Sequence, residues 1–574
     1  MNRSNMSDTA STITVHSDDI REVDERGQID RRVSQAIDEG HDADTPSSAG
    51  YVLGEEGERK RLESIENQKR RSGIVSVQHA GDLEKGFPAK RTTTNDEEND
   101  PNIVWWNGDD DPENPYNWPT SRKVLNCGCV SFQTFISPLA SSIFAPGVPL
   151  VLAEFHSTSP ELATFVVSVY LLGFAAGPFL IAPLSEIYGR IPVYHICNIG
   201  FIAFSVACAL APNLNSLIAF RFIAGVFGVA PLTNGGGTIA DMIPQKHRGT
   251  VLSVYSIGPL LGPVVGPIAG GFLSDAKGWR WNFWVLAIVT GFITFVMFFV
   301  MRESYAPVIL KRKADKLRKE TGNPLLRSKL DVGLSPGDFF KRSAVRPIKM
   351  FLFSPVISIM ALYTLLTYGY LYLQFTTMTE VFQGQYGFST EIVGLSFLGL
   401  GIGSLIGVFI YSSTSDKYIA RKAAEADRIA EETGAEKQGM KPEYRLPLLP
   451  VGSICIPIGL FIYGFTAQAK VHWIVPIIGT GFTGIGNILI FFSMQTYIVD
   501  AFTIYAASAL ASNIIIRSVG GAVLPLAGLR LYQKLGYGWG NGLLAFIAIL
   551  FLPVSFLLLK YGEVLRKKYP IKNL

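Results

Sequence analysis

The chain has 574 residues, of which 48% are apolar and 17% charged, where a soluble globular protein carries roughly a quarter charged. Mean hydropathy is positive, and the formal net charge of +4 is too small to argue for a nucleic-acid partner. The charge collects in the first 122 residues, two internal loops and the C-terminus; the long uncharged blocks between them exclude an ordinary soluble fold.

Residues 1–122 are rich in Asp, Glu, Arg, Ser and Thr with few clustered apolar side chains, so they cannot bury a core and are expected to be a disordered tail. No basic-then-apolar leader with a small-residue cleavage site precedes the first apolar block, which is therefore expected to direct insertion. About 20 apolar residues cross a bilayer as a helix. On that measure spans are predicted near Val124 to Val151, Leu162 to Pro183, Val193 to Ala211, Leu214 to Asp241, Thr250 to Leu273 and Trp281 to Met301. A polar loop, 302–352, follows. Six more spans are predicted near Phe353 to Phe382, Glu391 to Ser413, Leu446 to Ala467, His472 to Gln495, Phe502 to Leu526 and Asn541 to Tyr561, before a short tail, 562–574. The fold class is an all-α membrane protein of twelve transmembrane helices in two pseudo-symmetric six-helix bundles, 123–301 and 353–561, with a substrate path between them. With the N-terminus inside, the inner side receives Arg190, Lys246, Arg248, the run from Lys311 to Lys319 and the cluster Arg566, Lys567 and Lys568, so both termini are expected to be cytoplasmic. The basic run is expected to lie against anionic lipid, with no nucleic acid involved.

Within this frame a few residues carry chemistry. Glu186 and Asp416 end the second and eighth spans, where an acid can pair with the other half in one conformation only and so bias a transport cycle. Arg221 lies inside an otherwise apolar span, where a cation costs several kcal/mol unless paired, hydrated or able to reach the interface. Gly258, Gly262, Gly266 and Gly270 recur at helical spacing, interleaved with Pro259, Pro263 and Pro267 and followed by Gly271. Small residues at every fourth position let two backbones approach, and prolines are tolerated in a membrane helix where neighbours satisfy the freed carbonyls. Gln133, Asn234, Asn487, Gln495, Asn513, Arg517 and several residues of the seventh span are candidates to line a central cavity. In that span Tyr363, Tyr370 and Gln374 share a face, which is the favoured one. Acids are scarce in the middles of the spans, and the nearest candidates to carry a proton are Glu186, Asp241 and His195. All five cysteines fall inside spans and are expected to pack. Gly479 to Gly484 spells a dinucleotide pattern inside a span with no preceding strand. No phosphate-binding loop and no His-Glu-x-x-His spacing occurs. An enzyme, a bound cofactor and a metal site are not expected.

Three motifs resemble the major facilitator superfamily, specifically fungal drug:proton antiporters of twelve spans, over Asn114 to Tyr561. Glu186, Gly189 and Arg190 match the superfamily's loop motif, with Ala182, Ile187 and Ile191 replacing its glycine and two basic residues. Leu217, Arg221 and Gly225 match a second motif, in which the arginine is associated with proton coupling. Gly266 to Gly271 resembles the fifth-helix antiporter motif, and Asp111 to Trp118 and Gly235 to Asp241 also resemble this group. The resemblance implies a monomeric exporter at the plasma membrane, in preference to the vacuole. It would exchange amphiphilic organic compounds such as drugs, toxins or secondary metabolites for protons, with the gradient as energy source. A polyamine exporter of the same fold, a non-transporting membrane sensor and an uptake symporter are the alternatives. Buried carboxylates would be needed for polyamines, and the fifth-helix run argues against symport.

Overall fold

The computed structural model describes residues 101–331, 333–433, 440–502 and 506–569. Eleven helices in it are long and apolar enough to cross a membrane: Thr120–Glu154, Glu161–Tyr188, Arg190–Ala209, Leu214–Met242, Val254–Lys277, Arg280–Val300, Pro355–Tyr386, Thr390–Glu432, Pro442–Gln468, Ile474–Ala501 and Ala506–Lys568. The last has 63 residues. At 1.5 Å per residue a straight helix of that length would be about three times the hydrocarbon thickness. It is broken at Gly536, whose φ of 73° and ψ of 172° are not helical. It is therefore two crossings, eleventh and twelfth, and the predicted twelve spans are present. Since twelve is even, Thr120 and Lys568 lie on one side, here the terminal face, with the loop between the halves; the other side is the far face.

The helix ends follow from local chemistry. Ser159 caps the second span by accepting from the Leu162 N–H at 3.3 Å, and Asn213 forms a capping box with Ser216 at the start of the fourth. The fourth span breaks into Leu214–Gly228 and Ala230–Met242, because Pro231 has no N–H to continue the ladder. Neighbouring spans satisfy the carbonyls around the break: the Ser137 hydroxyl donates to Gly228, and the Tyr255 hydroxyl donates to Pro231 at 2.8 Å. In the fifth span three prolines lie inside one helix, Gln245–Lys277, without ending it.

The two halves repeat one packing scheme. In the first half the first span packs on the fifth, the second on the fourth, and the third on the fourth and sixth. In the second half the seventh packs on the eleventh, the eighth on the tenth, and the ninth on the tenth and twelfth. The halves meet where the second span touches the eleventh and the fifth touches the eighth. The outside is apolar, with Phe292, Phe295, Phe298 and Phe299 of the sixth span all exposed as for contact with lipid.

Two expectations change. The polar loop is largely helical, with a first loop helix at Ala306–Thr321 and a second at Pro336–Phe353; the second packs against the second and eleventh spans. The expected disordered tail does not extend to residue 122. Ile103–Val104 (β1) pairs in parallel with Arg327–Ser328 (β2), while residues before 101 lie outside the described part. Asp111 is buried in this clasp. It accepts from the backbone of Asn107 at 2.7 Å and Glu113 at 2.9 Å, and pairs with Lys313 of the first loop helix at 3.2 Å. The Tyr116 hydroxyl adds a bond to the Ala240 carbonyl at 3.1 Å. Composition hid this order because the partners that tie the segment to the rest of the chain, Lys313, Ala240 and Arg327–Ser328, are distant in sequence.

Burial, the largest single influence on Asp111, pushes its carboxyl up, but the two backbone donors and the Lys313 ammonium together hold it below the usual carboxylate value. A depressed folded pKa gives stability that is present above the unfolded value and lost as pH falls through the folded one. Amide protection factors across residues 103–118, taken against the intrinsic exchange rate at each pH, should therefore be high at neutral pH and fall as pH drops below the ordinary carboxylate range. Asp111→Asn should show low protection factors at neutral pH and little further change in them on acidification.

Candidate functional site

On the terminal face Arg190, the first residue of the third span, organises the end of the first half. Its Nε pairs with Asp241 at 3.1 Å, its Nη1 donates to the Ser185 hydroxyl at 2.8 Å, and its guanidinium lies 4.5 Å over the Tyr305 ring. The backbone N–H groups of Arg190 and Ile191 donate to the Glu303 carboxylate at 2.9 and 3.3 Å, an anion held at a helix N-terminus. Gly189 connects the two spans with φ of 103°. A side chain there would be strained, and its Cβ would lie 2.7 Å from the Glu303 carboxyl carbon.

The second half repeats this arrangement six spans later. Arg445, opening the ninth span, pairs with Asp500 at 2.8 Å and Asp416 at 3.1 Å. Beside it Glu443 accepts from the Tyr497 hydroxyl at 3.2 Å and pairs with Arg566 at 3.3 Å. Arg445 and Asp500 were not among the gating candidates, although superposing the two halves of the sequence on Arg190 would have found them. The two acids expected to pair across the halves do otherwise. Asp416 pairs within its own half, and Glu186 accepts from the Ser343 hydroxyl of the second loop helix at 3.4 Å.

The glycine run is used on two faces. A Cβ at Gly262 would lie 2.7 Å from the Phe135 carbonyl and 2.9 Å from the Leu139 nitrogen; one at Gly258 would meet Ser131 and Phe135, one at Gly266 Ser142 and Ile143, and one at Gly270 Ile143. That face is seated on the backbone of the first span, within the first half. The other face meets the eighth span: Val264 packs on Gly401, the Pro267 carbonyl on Gly394, and Gly271 on Thr390. Pro263 lies with this run inside the unbroken helix.

Arg221 is fully buried. Its Nη2 donates to the carbonyls of Ser141 at 3.3 Å and Val167 at 3.4 Å, and its guanidinium lies 5.0 to 5.5 Å from the rings of Phe144, Tyr170 and Phe283. Among the described residues it has no carboxylate partner.

The cavity candidates divide. Tyr363 donates to Ser453 at 2.5 Å and Tyr370 to the Leu544 carbonyl at 3.0 Å, so the favoured face of the seventh span points into the second half. Gln374 donates to Thr483 at 3.3 Å, Asn487 to the Thr367 carbonyl at 3.1 Å, and Asn513 accepts from Thr364 at 2.5 Å, all within that half. Asn234 accepts from Ser185 at 3.1 Å beside the Arg190 network. Gln133 lines a cavity of about 20 Å³ inside the first half with Ser137, Asn198 and Thr290, room for a single water. Tyr372 is the residue of the seventh span that reaches across, its hydroxyl 2.8 Å from the Ser141 hydroxyl of the first span. Four residues earlier Tyr368 packs against it, the ring centroids 5.0 Å apart and the planes tilted by 53°. On the far face Arg530 forms an ion pair with Glu161, again between the halves. Gln495 has an unpartnered, buried Oε1.

Two pseudo-equivalent six-helix halves, duplicated charge networks at one face and polar contacts between the halves at mid-depth define a membrane transporter. A family profile described as Major Facilitator Superfamily matches residues 130–525, and the chain belongs to that superfamily. It is 54% identical over 471 residues to the MFS-type transporter tndD of Aspergillus flavipes, covering 82% of this chain and 86% of that protein. It is 51% identical over 471 residues to the efflux pump radE of Floropilus chiversii, with the same shares covered. The fold is similar to that of the xylose transporter XylE from E. coli in a partially occluded inward-open conformation, with a TM-score of 0.55 at 16% identity, covering 77% of this chain and 98% of that one. The chain is thus a multi-pass membrane transporter and not an enzyme.

Two measurements test the site. Gly262→Leu or Gly266→Leu should abolish flux while surface expression stays near normal, whereas Gly291→Leu, with nothing within 4 Å of its Cβ, should transport normally. Arg445→Ala and Arg190→Ala should each slow flux by about tenfold, equivalent to ~1.4 kcal/mol; an unaltered rate in Arg445→Ala would remove the second network from the mechanism.

Proposed function

We propose that the chain is a proton-coupled exporter of amphiphilic organic compounds, such as drugs, toxins or secondary metabolites, working by alternating access. The observation that carries this reading is the double use of the fifth span. Its glycine face is locked on the first span, and its Val264, Pro267 and Gly271 face meets the other half, so one edge of the run that resembles an antiporter motif faces the boundary between the halves. The naming of a relative as an efflux pump supports the same direction. Glu186, between the second span and the second loop helix, is the acid we assign to the coupling gate, with Arg221 as its buried partner in function. The basic residues of the terminal face, among them Lys313 and Arg566, favour placing that face in the cytoplasm of a plasma membrane. A monomer suffices, since one chain supplies both halves. Polyamine export is disfavoured, because the fully buried charge at mid-span among the described residues, Arg221, is a cation and not a carboxylate.

Inside-out vesicles with an acid interior should accumulate fluorescent amphiphiles, and a protonophore should abolish the accumulation. Uptake that ignores the proton gradient would rule out antiport.

A further inference from the structure

Arg221 has a counterpart in the other half. Arg517, in the eleventh span, lies 4.8 Å from the Tyr368 ring and 5.0 Å from the Phe491 ring, and among the described residues it makes no hydrogen bond and has no carboxylate partner. The two cations are joined across the boundary between the halves. The Ser141 carbonyl accepts from Arg221, the Ser141 hydroxyl contacts Tyr372, the tilted rings of Tyr372 and Tyr368 pack together, and Tyr368 carries Arg517 on its face.

Around this chain several buried polar atoms have no hydrogen-bond partner: Nε of both arginines, the Ser168 hydroxyl beside Val167, and Gln495 Oε1 one turn beyond Phe491. An arginine in a low-dielectric interior costs several kcal/mol when neither paired nor hydrated, and aromatic faces offset only about 0.5 to 2 kcal/mol of that per contact. Arg221 is such a cation, held only by two carbonyls and three rings, and Arg517 at the same boundary is part-buried; with their unpartnered Nε donors they form a site lacking one charge of opposite sign. A second observation has the same sign. Along the second loop helix a cavity of about 280 Å³ on the terminal face is lined by Lys341, Arg342, Val345, Arg346 and Lys349.

We propose that the site between the first, second, fourth, seventh, tenth and eleventh spans binds an organic anion, an amphiphile bearing a carboxylate or an ionised phenol. Arg517 pairs with the anionic group, Arg221 adds long-range attraction, and Tyr368, Tyr372 and Phe491 hold the apolar body. The basic cavity on the terminal face attracts such molecules to that face. This rests on the export reading only in taking the bound anion to be the cargo.

The test is equilibrium binding to the purified full chain in phosphatidylcholine nanodiscs, which contain no anionic lipid to compete. The probes are matched sets: 1-pyrenebutyrate, 2-naphthoate and a hydroxylated naphthoate, each with its methyl ester and the corresponding amine. The acids should bind at least about tenfold tighter than their esters and amines, the scale of one charge-assisted pair. Arg517→Gln should remove that preference while leaving ester binding and thermal unfolding unchanged, and Arg517→Lys should retain part of it. Esters or amines binding as well as the acids, no acid binding at all, or an acid preference that survives Arg517→Gln each overturns the proposal. Acid binding without proton-dependent flux would sink the export reading and leave the anion site standing.

Discussion

Inside a bilayer no water is at hand to satisfy a stranded polar group, so every backbone donor, carbonyl and charge has to find its partner within the protein. Much of this structure is a response to that constraint. The fourth span can break at Pro231 because Ser137 and Tyr255 take the carbonyls around the break. Acids and bases are sorted to the two faces, where Arg190, Asp241, Arg445 and Asp500 form compact networks and Glu154 pairs with Arg280. Against that background the two arginines that remain inside stand out. Arg221 reaches only two carbonyls and three rings and Arg517 only two rings, and each is tolerated at a cost that packing alone does not explain.

The features of the fold that depend on neighbouring residues alone were readable before any coordinates. Span number and length follow from runs of apolar residues, and Arg221 was conspicuous because a cation interrupts one of them. Rotation of a helix about its own axis is a different matter. On the seventh span Tyr363 and Tyr370 share one face and Tyr368 and Tyr372 share another, and both have helical spacing; only the partners Ser453, Leu544 and Ser141 decide which face looks across the boundary. Arg445 was missed for a related reason. It belongs to no spelled motif and becomes meaningful only when the two halves are laid over one another. The order in residues 103–118 depends on Lys313 and on Arg327–Ser328, more than 200 positions away in the case of the Lys313 bond, and a tail read by composition has no access to such partners.

The glycine and proline run lies only partly at the boundary between the halves. Most of it lies elsewhere, because the missing Cβ atoms at Gly258, Gly262, Gly266 and Gly270 are what let the fifth span settle on the backbone of the first. The boundary is touched by the opposite edge of the same helix. The fifth span is therefore fastened on one side and exposed to the other half on the other, so a bulky residue on either face would be felt by both.

The second loop helix has a mechanical implication. It lies against the second and eleventh spans, which also touch each other, while on the opposite side of the boundary the fifth span meets the eighth chiefly at Thr390–Ser396, near the far face. Two bodies held along one line and touching at a point elsewhere have an axle and a latch. The seam of the second and eleventh spans, strapped by this helix, is the axle; Gly271 against Thr390 and Gly394 is the latch. Opening toward the far face would release the latch first, and the stiffness and length of the strap would set how far the two halves could swing.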